Sequence, residues 1–413
     1  MRMDSIKGIK AEWEKQPEAF PVFLEKHPEI FPAVGDMQKK ENEALIEEFS
    51  ARMQKKAEQR PEGKEGLKQW EQEMEQELKC FLKKEKMLSL SEWINPVLFH
   101  EFEKETKHFI DRVRGFDADL NAGQIWQAMR NYFIYAMIVE MQGERQNAAN
   151  PILAYSLLYP YTDNYIDDKT TTKEEKERYN RMIARKLKGE PVLAQSALEE
   201  KTCRLLDMIG DAYEGEAKKK VIGTLLQLLE AQNYSIRQQK AGISEDEILG
   251  ISIWKGSTSV LADYLFATQD WREKEEGFYL RFGFLLQLVD DLQDMEEDKK
   301  EGSHTLMIKA AEQKRLEGQV NRLLWFIWDT VRAFEPRNPG LKGFVLKNCV
   351  EITLLSVAMS AQHFLKEYIK ALEPYLPLSV EFIKKMKKQQ KKGKHVQGMF
   401  ISVMEEKLGK ELP

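Results

Sequence analysis

Leu285 to Leu306 reads LLQLVDDLQDMEEDKKEGSHTL. On a helix, Asp290, Asp294 and Asp298 fall at i, i+4 and i+8, on one line of the surface, with Gln287 about one turn earlier and Asp291 beside Asp290. Like charges at that spacing repel, so the segment costs helix stability unless a cation sits on it. An ordinary charged face would lie among polar neighbours. Here Phe282, Phe284, Leu285, Leu286, Leu288, Val289 and Leu292 surround the acids, which places the carboxylates at the rim of an apolar interior.

A second acidic group lies about 125 positions upstream in YPYTDNYIDDKTTT, Tyr159 to Thr172. Asp163 and Asp167 are four apart and share a helical face, and Asp168 follows. Hard divalent cations take oxygen ligands, and Mg²⁺ pairs one or two carboxylates with water and substrate phosphates. Two acidic rims facing each other across an apolar cavity would hold Mg²⁺ and a diphosphate. A single acidic helix face carries no such meaning, because acids are common on solvated helices.

The rest of the chain reads as helix. Its 413 residues contain 23 Gly and 14 Pro, together roughly 9% against about 12% in average usage, so few turns are called for. Ile125 to Met141, IWQAMRNYFIYAMIVEM, is apolar almost all round and marks a core helix. Alternation of period two is nowhere sustained, so the class is all-α. Residues 1–95 are charged and carry Pro17, Pro21, Pro28, Pro32 and Pro61, and they read as a helical N-terminal appendage. A main domain over 96–380 and a Lys-rich tail over 381–413 follow.

Charge and cysteine usage exclude several functions. With 63 basic against 68 acidic residues the net charge is −5 and the pI about 5.9, which removes nucleic acid as the default partner. Cys80, Cys203 and Cys349 form no CxxC pair, so neither a disulfide framework nor a zinc site is expected. Met1 to Lys10 has no apolar core of a signal peptide, and a cytoplasmic protein is expected. Lys384 to Lys394 holds seven lysines in eleven residues. It reads as a solvated face, with contact to an anionic membrane surface as the alternative. The six histidines, His304 included, show no metal-ligand spacing.

These residues resemble the class I isoprenoid synthase superfamily, the helical enzymes that include trans-polyprenyl diphosphate synthases, squalene and phytoene synthases and terpene synthases. The resemblance runs from about Leu226 to Ala310. It comprises Ala231-Gln232, Ser244-Glu245-Asp246-Glu247, Lys255, the block from Phe284 to Asp294, and Gly302 with Thr305-Leu306. The first acidic group departs from the polyprenyl synthase pattern and is similar to that of squalene synthases and large bacterial terpene synthases. The Gly-Lys-x-x-Arg-Pro element of the elongating enzymes is absent, Gly256 follows Lys255 where Thr is usual, and Ser235 stands where Asp is usual.

The resemblance implies a helical bundle around a central apolar cavity and three Mg²⁺ ions. Asp163, Asp167, Asp168, Asp290, Asp291, Asp294 and Asp298 would be the metal ligands, with Asp163, Asp167, Asp290 and Asp294 central to catalysis. Lys255, Gln287, Gln232, Tyr159 and Phe284 would contact a prenyl diphosphate, Tyr159 by limiting its chain length, and a homodimer is a further expectation. Phe133, Tyr159, Phe284, Trp325 and Trp328 are candidate cation-stabilising liners, although each taken singly reads first as plain core. Arg178, Arg181 and Arg185 read as a solvated face paired with Glu174, Glu175 and Glu177. The leading function is a terpene synthase. The alternatives are a prenyltransferase, which would need a second cationic site near Arg130 or Arg145, and an inert subunit that binds prenyl lipid or regulates a partner.

Overall fold

The computed structural model describes residues 3–390 apart from 60, 62, 63, 88–95, 145–148, 169, 241, 269 and 270. Among the described residues the regular structure is entirely helical, as the patterning demands. In chain order the helices are α1 (Met3–Lys15), α2 (Phe23–Lys26), α3 (Asp36–Glu58), α4 (Lys64–Lys84), α5 (Pro96–Phe116) and α6 (Ala122–Met141). Then come α7 (Asn150–Asp167), α8 (Lys173–Leu187), α9 (Ala197–Gly210), α10 (Gly215–Ser235), α11 (Glu245–Ala267) and α12 (Glu273–Gln293). The last six are α13 (Met295–Glu301), α14 (Leu306–Glu312), α15 (Leu316–Ala333), α16 (Gly340–Met359), α17 (Lys366–Leu372) and α18 (Val380–Gln390).

Local chemistry sets many of these boundaries. Thr172 caps α8 in a reciprocal box with Glu175, and the hydroxyls of Ser196, Ser244 and Thr305 accept from the third backbone N–H of α9, α11 and α14. Each cap satisfies a donor that the helix itself leaves unpaired. Gly302, at φ 74°, closes α13 in the left-handed conformation that glycine adopts without strain. Among the described residues no helix is long and apolar enough to cross a membrane.

The chain divides into two compact units. The first comprises residues 1–19, 101–120 and 124–342, and its centre is α11, which is buried on nearly every side. The α11–α12 crossing is a contact of glycine on glycine: a Cβ on Gly283 would lie 2.1 Å from the Gly256 carbonyl oxygen, and one on Gly256 would lie 2.5 Å from the Gly283 oxygen. Only the absence of side chains there allows the backbones to meet. Residues 1–19 belong to this body, a grouping that differs from the appendage expected over 1–95. Trp13, 1% exposed, sets its ring edge-on to Phe284 and Phe326 at 5.5 and 5.9 Å, and Glu18 pairs with Arg322 at 2.7 Å. The apolar face of α1 therefore packs as core.

The second unit comprises residues 20–100, 121–123 and 343–413. Helices α3 and α4 close on Phe49, Met53, Trp70 and Met74, with Arg52–Glu77 and Lys56–Glu73 ion pairs at 3.0 and 2.9 Å outside. The start of α3 is tied to the C-terminal segment: Asn42 donates to the Pro377 carbonyl at 2.8 Å, Ser379 N–H donates to Glu43 at 2.7 Å, and Lys385 pairs with Glu47 at 2.5 Å. The described residues of 20–87 and 381–390, which the sequence reading separated, thus share one body. In the Lys384–Lys394 run, Lys385 is held by Glu47 and Lys387 by the Met359 carbonyl at 2.8 Å. Lys391, Lys392 and Lys394 lie outside the described residues.

This unit also holds a largely buried titratable group, Glu351. Burial pushes the Glu351 carboxyl up to about 8, against the pull of Lys347 and with a push from Glu85. A carboxyl raised in the folded state is penalised once it must ionise, so stability is greatest near the ordinary glutamate value and declines as pH rises toward about 8. Glu351→Gln removes that ionisation. Its melting temperature is expected to fall less than that of the parent over this window, and parallel curves in a pH series of thermal melts would contradict the assignment.

Candidate functional site

All the carboxylates of interest belong to the first unit. Helix α12 ends at Gln293, and Asp294 occupies the junction with α13 at φ −97°, ψ 9°. The Asp294 N–H still bonds the Asp290 carbonyl at 2.9 Å and the Asp298 N–H bonds the Asp294 carbonyl at 2.9 Å. The four-residue register survives the break, so the three aspartates keep their line. Asp290 and Asp294 are exposed and Asp298 is half-buried.

Asp291 is turned inward and 5% exposed. Gln287 donates to one of its oxygens at 2.9 Å, and Ser252 of α11 approaches the other at 3.5 Å. Burial pushes its carboxyl up to about 7; Asp290 and Asp298 add repulsion, while the Gln287 hydrogen bond and the Lys255 charge oppose the rise. Burial raises Asp294 and Asp298 to about 6 as well. Asp290 and Glu297 push Asp294 further and Arg130 draws it back, while Asp298 feels Asp294 and Asp290 against Lys255. Raised values on neighbouring carboxyls mark a site short of positive charge. Lys255 on α11 reaches this cluster because the Gly256–Gly283 crossing brings α11 and α12 together. Gly256, which departs from the resembling enzymes, has its reason there.

The first acidic group is arranged differently. Asp163 is half-exposed on α7, with the Thr162 hydroxyl 3.3 Å from one oxygen. Two residues before it, the Tyr161 hydroxyl donates to Asp117, which also takes Lys201 at 2.7 Å, and this anchors the end of α7. Asp167 is the last residue of α7, and its side chain lies outside the described residues. Asp168 lies beyond the helix and accepts from both the backbone N–H and the hydroxyl of Thr170 at 2.8 Å. Those bonds lower its carboxyl value and commit it to the turn.

Among the described residues no group of three or more His, Cys, Asp or Glu side chains is placed to hold a metal by itself. The donor set nevertheless suits Mg²⁺, which needs only one or two carboxylates when phosphate oxygens and water supply the rest. Asp290 and Asp294 are the exposed donors for that arrangement, and their mutual repulsion is what a cation would relieve.

One turn back from Asp163, a small apolar cavity of about 50 Å³ lies between α7, α8, α9 and α10. Leu158, Ile183, Leu187, Leu206, Leu225, Leu228 and Leu229 line it, and Tyr155, Tyr159, Thr162 and Gln232 add polar atoms. The resemblance-assigned residues therefore meet in two places: Lys255 and Gln287 beside the carboxylates, Tyr159 and Gln232 in the cavity. Phe284 joins neither. It is fully buried, its ring edge-on to Trp13 and Phe326, so it is core.

The other aromatic liners also pack elsewhere. Phe133 stacks on Phe102 at 5.6 Å, Trp325 donates to the Ala19 carbonyl at 3.1 Å, and Trp328 is buried beneath Arg332. Arg181 pairs with Glu177 as anticipated, whereas Arg178 pairs with Glu199 at 2.5 Å and Arg185 with Glu190 at 2.8 Å. The Ser235 hydroxyl bonds the Gln232 carbonyl at 2.7 Å. The His304 N–H donates to the Gln238 carbonyl at 2.8 Å, and the Gln238 side-chain amide donates back to the His304 carbonyl at 3.3 Å. Arg130 is exposed, and Arg145 lies outside the described residues.

Sequence reasoning missed Tyr155 and Ser259. Tyr155 was accessible to it, lying four residues before Tyr159 on the same helical face. Ser259, whose hydroxyl meets Tyr159 at 2.7 Å, depends on α7 packing against α11 and leaves no local signal. Compared with protein-family models, with curated proteins and with solved structures, the chain finds no match.

Proposed function

We propose that the protein is a Mg²⁺-dependent class I isoprenoid synthase that ionises an allylic prenyl diphosphate and releases diphosphate and a terpene. The observation that carries this reading is the line of Asp290, Asp294 and Asp298, in which burial and neighbouring charge raise the Asp294 and Asp298 carboxyls, with Lys255 alongside. The apolar cavity one turn from Asp163 supports it. Asp290 and Asp294, with Asp163 from the other acidic group, would hold Mg²⁺, which as a Lewis acid stabilises the charge developing on the diphosphate. Lys255 supplies fixed positive charge to the same anion. Gln287 fixes Asp291 at 2.9 Å, a carboxyl whose burial favours its neutral form and so limits the negative charge facing the phosphates. The leucine wall excludes water while the hydrocarbon is cationic, and Tyr159 offers its ring to that cation.

A prenyltransferase is the second reading. It is favoured by Arg130, whose charge acts on Asp294 and would suit a second anionic substrate. Product analysis by mass spectrometry separates the two, using prenyl diphosphates of increasing length with and without isopentenyl diphosphate. One substrate is expected to suffice for diphosphate release and a terpene product. Longer diphosphates formed only when isopentenyl diphosphate is present would make the protein an elongating enzyme, and silence throughout would leave an inert subunit.

A further inference from the structure

The positive charge of this acidic chain is gathered at one end of the second unit. From Met359 to Lys394 there are nine lysines against three glutamates and no aspartate, in a chain whose net charge is −5. Helix α18 gives part of that charge a fixed place. Val380, Phe382 and Ile383 are buried and seat the helix, so Glu381, Lys384, Lys385 and Lys388 turn to solvent at i, i+3, i+4 and i+7. Lys385 is answered by Glu47 at 2.5 Å. Among the described residues no ion pair takes up Lys384 or Lys388. Lys387 holds α18 to the end of α16 through the Met359 carbonyl at 2.8 Å, and six residues after Met359 comes Leu365, 66% exposed and followed by the exposed Lys366 and Lys370.

The kind of cation selects the occupant. From Asn338 to Pro413 the chain holds thirteen lysines and no arginine. Arginine carries the planar fork that suits nucleic-acid phosphates and buried interface ion pairs, whereas lysine is depleted from protein interfaces. A lysine ammonium stays hydrated and acts as a point charge, so it is drawn to a charged plane without needing a fixed partner geometry. Beyond the described residues the sequence adds Lys391, Lys392 and Lys394 and then MFISVM, Met399 to Met404, which carries no charge. Lysines followed by apolar side chains suit a bilayer surface, where lipid headgroups take the charge and the interfacial layer takes the apolar groups.

We infer that the Lys384–Lys388 face of α18 docks the protein on bilayers containing anionic phospholipid. Docking of this kind involves the second unit alone and holds whatever reaction the first unit performs.

The test is sedimentation of the full-length protein with vesicles of phosphatidylcholine alone and of phosphatidylcholine mixed with phosphatidylglycerol, over a series of salt concentrations. Binding is expected to the mixed vesicles only, and it should weaken steadily as salt shortens the reach of the attraction. Lys384→Glu combined with Lys388→Glu is expected to weaken it by about tenfold or more, with the circular dichroism unchanged because both side chains are exposed. Lys218→Glu combined with Lys219→Glu, exposed on α10, alters the net charge equally and should leave binding as it was. The lipid and salt dependence of the parent test the docking without any variant. Equal binding to both kinds of vesicle, binding insensitive to salt, a loss matched by the α10 pair, or no sedimentation with either vesicle overturns the inference. Retention on duplex DNA that the α18 changes abolish, with vesicles ignored, would assign the face to nucleic acid and overturn it as well.

Discussion

Asp290→Ala is expected to abolish Mg²⁺-dependent diphosphate release, by a factor of about 10³ or more, while the helical circular dichroism is retained. A loss of that size corresponds to about 4 kcal/mol of transition-state stabilisation, the scale of removing a charge clamp on a developing anion. Asp290 is exposed, and its charge raises the carboxyl values of Asp291, Asp294 and Asp298. Deleting it takes away repulsion, so the metal-free variant should melt no lower than the parent. Inactivity combined with undiminished stability is the signature of a charge kept for function at a cost to the fold. Asp163→Ala should lose Mg²⁺-dependent turnover likewise. Parent-level turnover in either variant removes that residue from the proposed metal site, and a large drop in melting temperature would show that the aspartate is structural.

Gly283→Ala is expected to be the most damaging single-methyl change in the first unit. The added Cβ would lie 2.1 Å from the Gly256 carbonyl oxygen and 3.0 Å from the Ser257 Cα. Both obstacles are backbone, so one helix has to move. Overpacking of this kind costs about 1–3 kcal/mol, set against about 1 kcal/mol that Ala gains over Gly in a helix. The structural loss wins because no flexible side chain is available to yield. Separation of α11 from α12 also draws Lys255 away from Asp291 and Asp298, so activity should fall by more than stability alone explains. Gly277→Ala on the same helix is the control: its Cβ would meet only the tip of Arg281 at 3.9 Å, and its melting temperature is expected to equal or exceed the parent's. A stabilised Gly283→Ala protein would show that the crossing is looser than the structure has it.

The all-helical class, the caps at Thr172 and Ser244 and the alignment of Asp290, Asp294 and Asp298 were all decided by the sequence. Each depends on residues within one or two turns of one another, and helical periodicity converts such spacing directly into a face. What surrounds a face is a different matter. Phe284 reads as a cavity liner from its place beside the aspartates, yet Trp13, some 270 positions earlier, closes over it.

Lys255 and Gln287 converge on Asp291 through two glycines, Gly256 and Gly283, whose importance no local pattern reveals. Residues 1–95 read as an appendage to the main domain, yet Asn42 and Glu43 are bonded to Pro377 and Ser379. The contacts of Tyr155 and Tyr159 with Ser259 likewise exist only once α7 lies against α11. Local geometry follows from neighbours along the chain. Contacts between distant segments depend on which packing of many apolar faces leaves the fewest buried groups unsatisfied, and only the tertiary structure decides that.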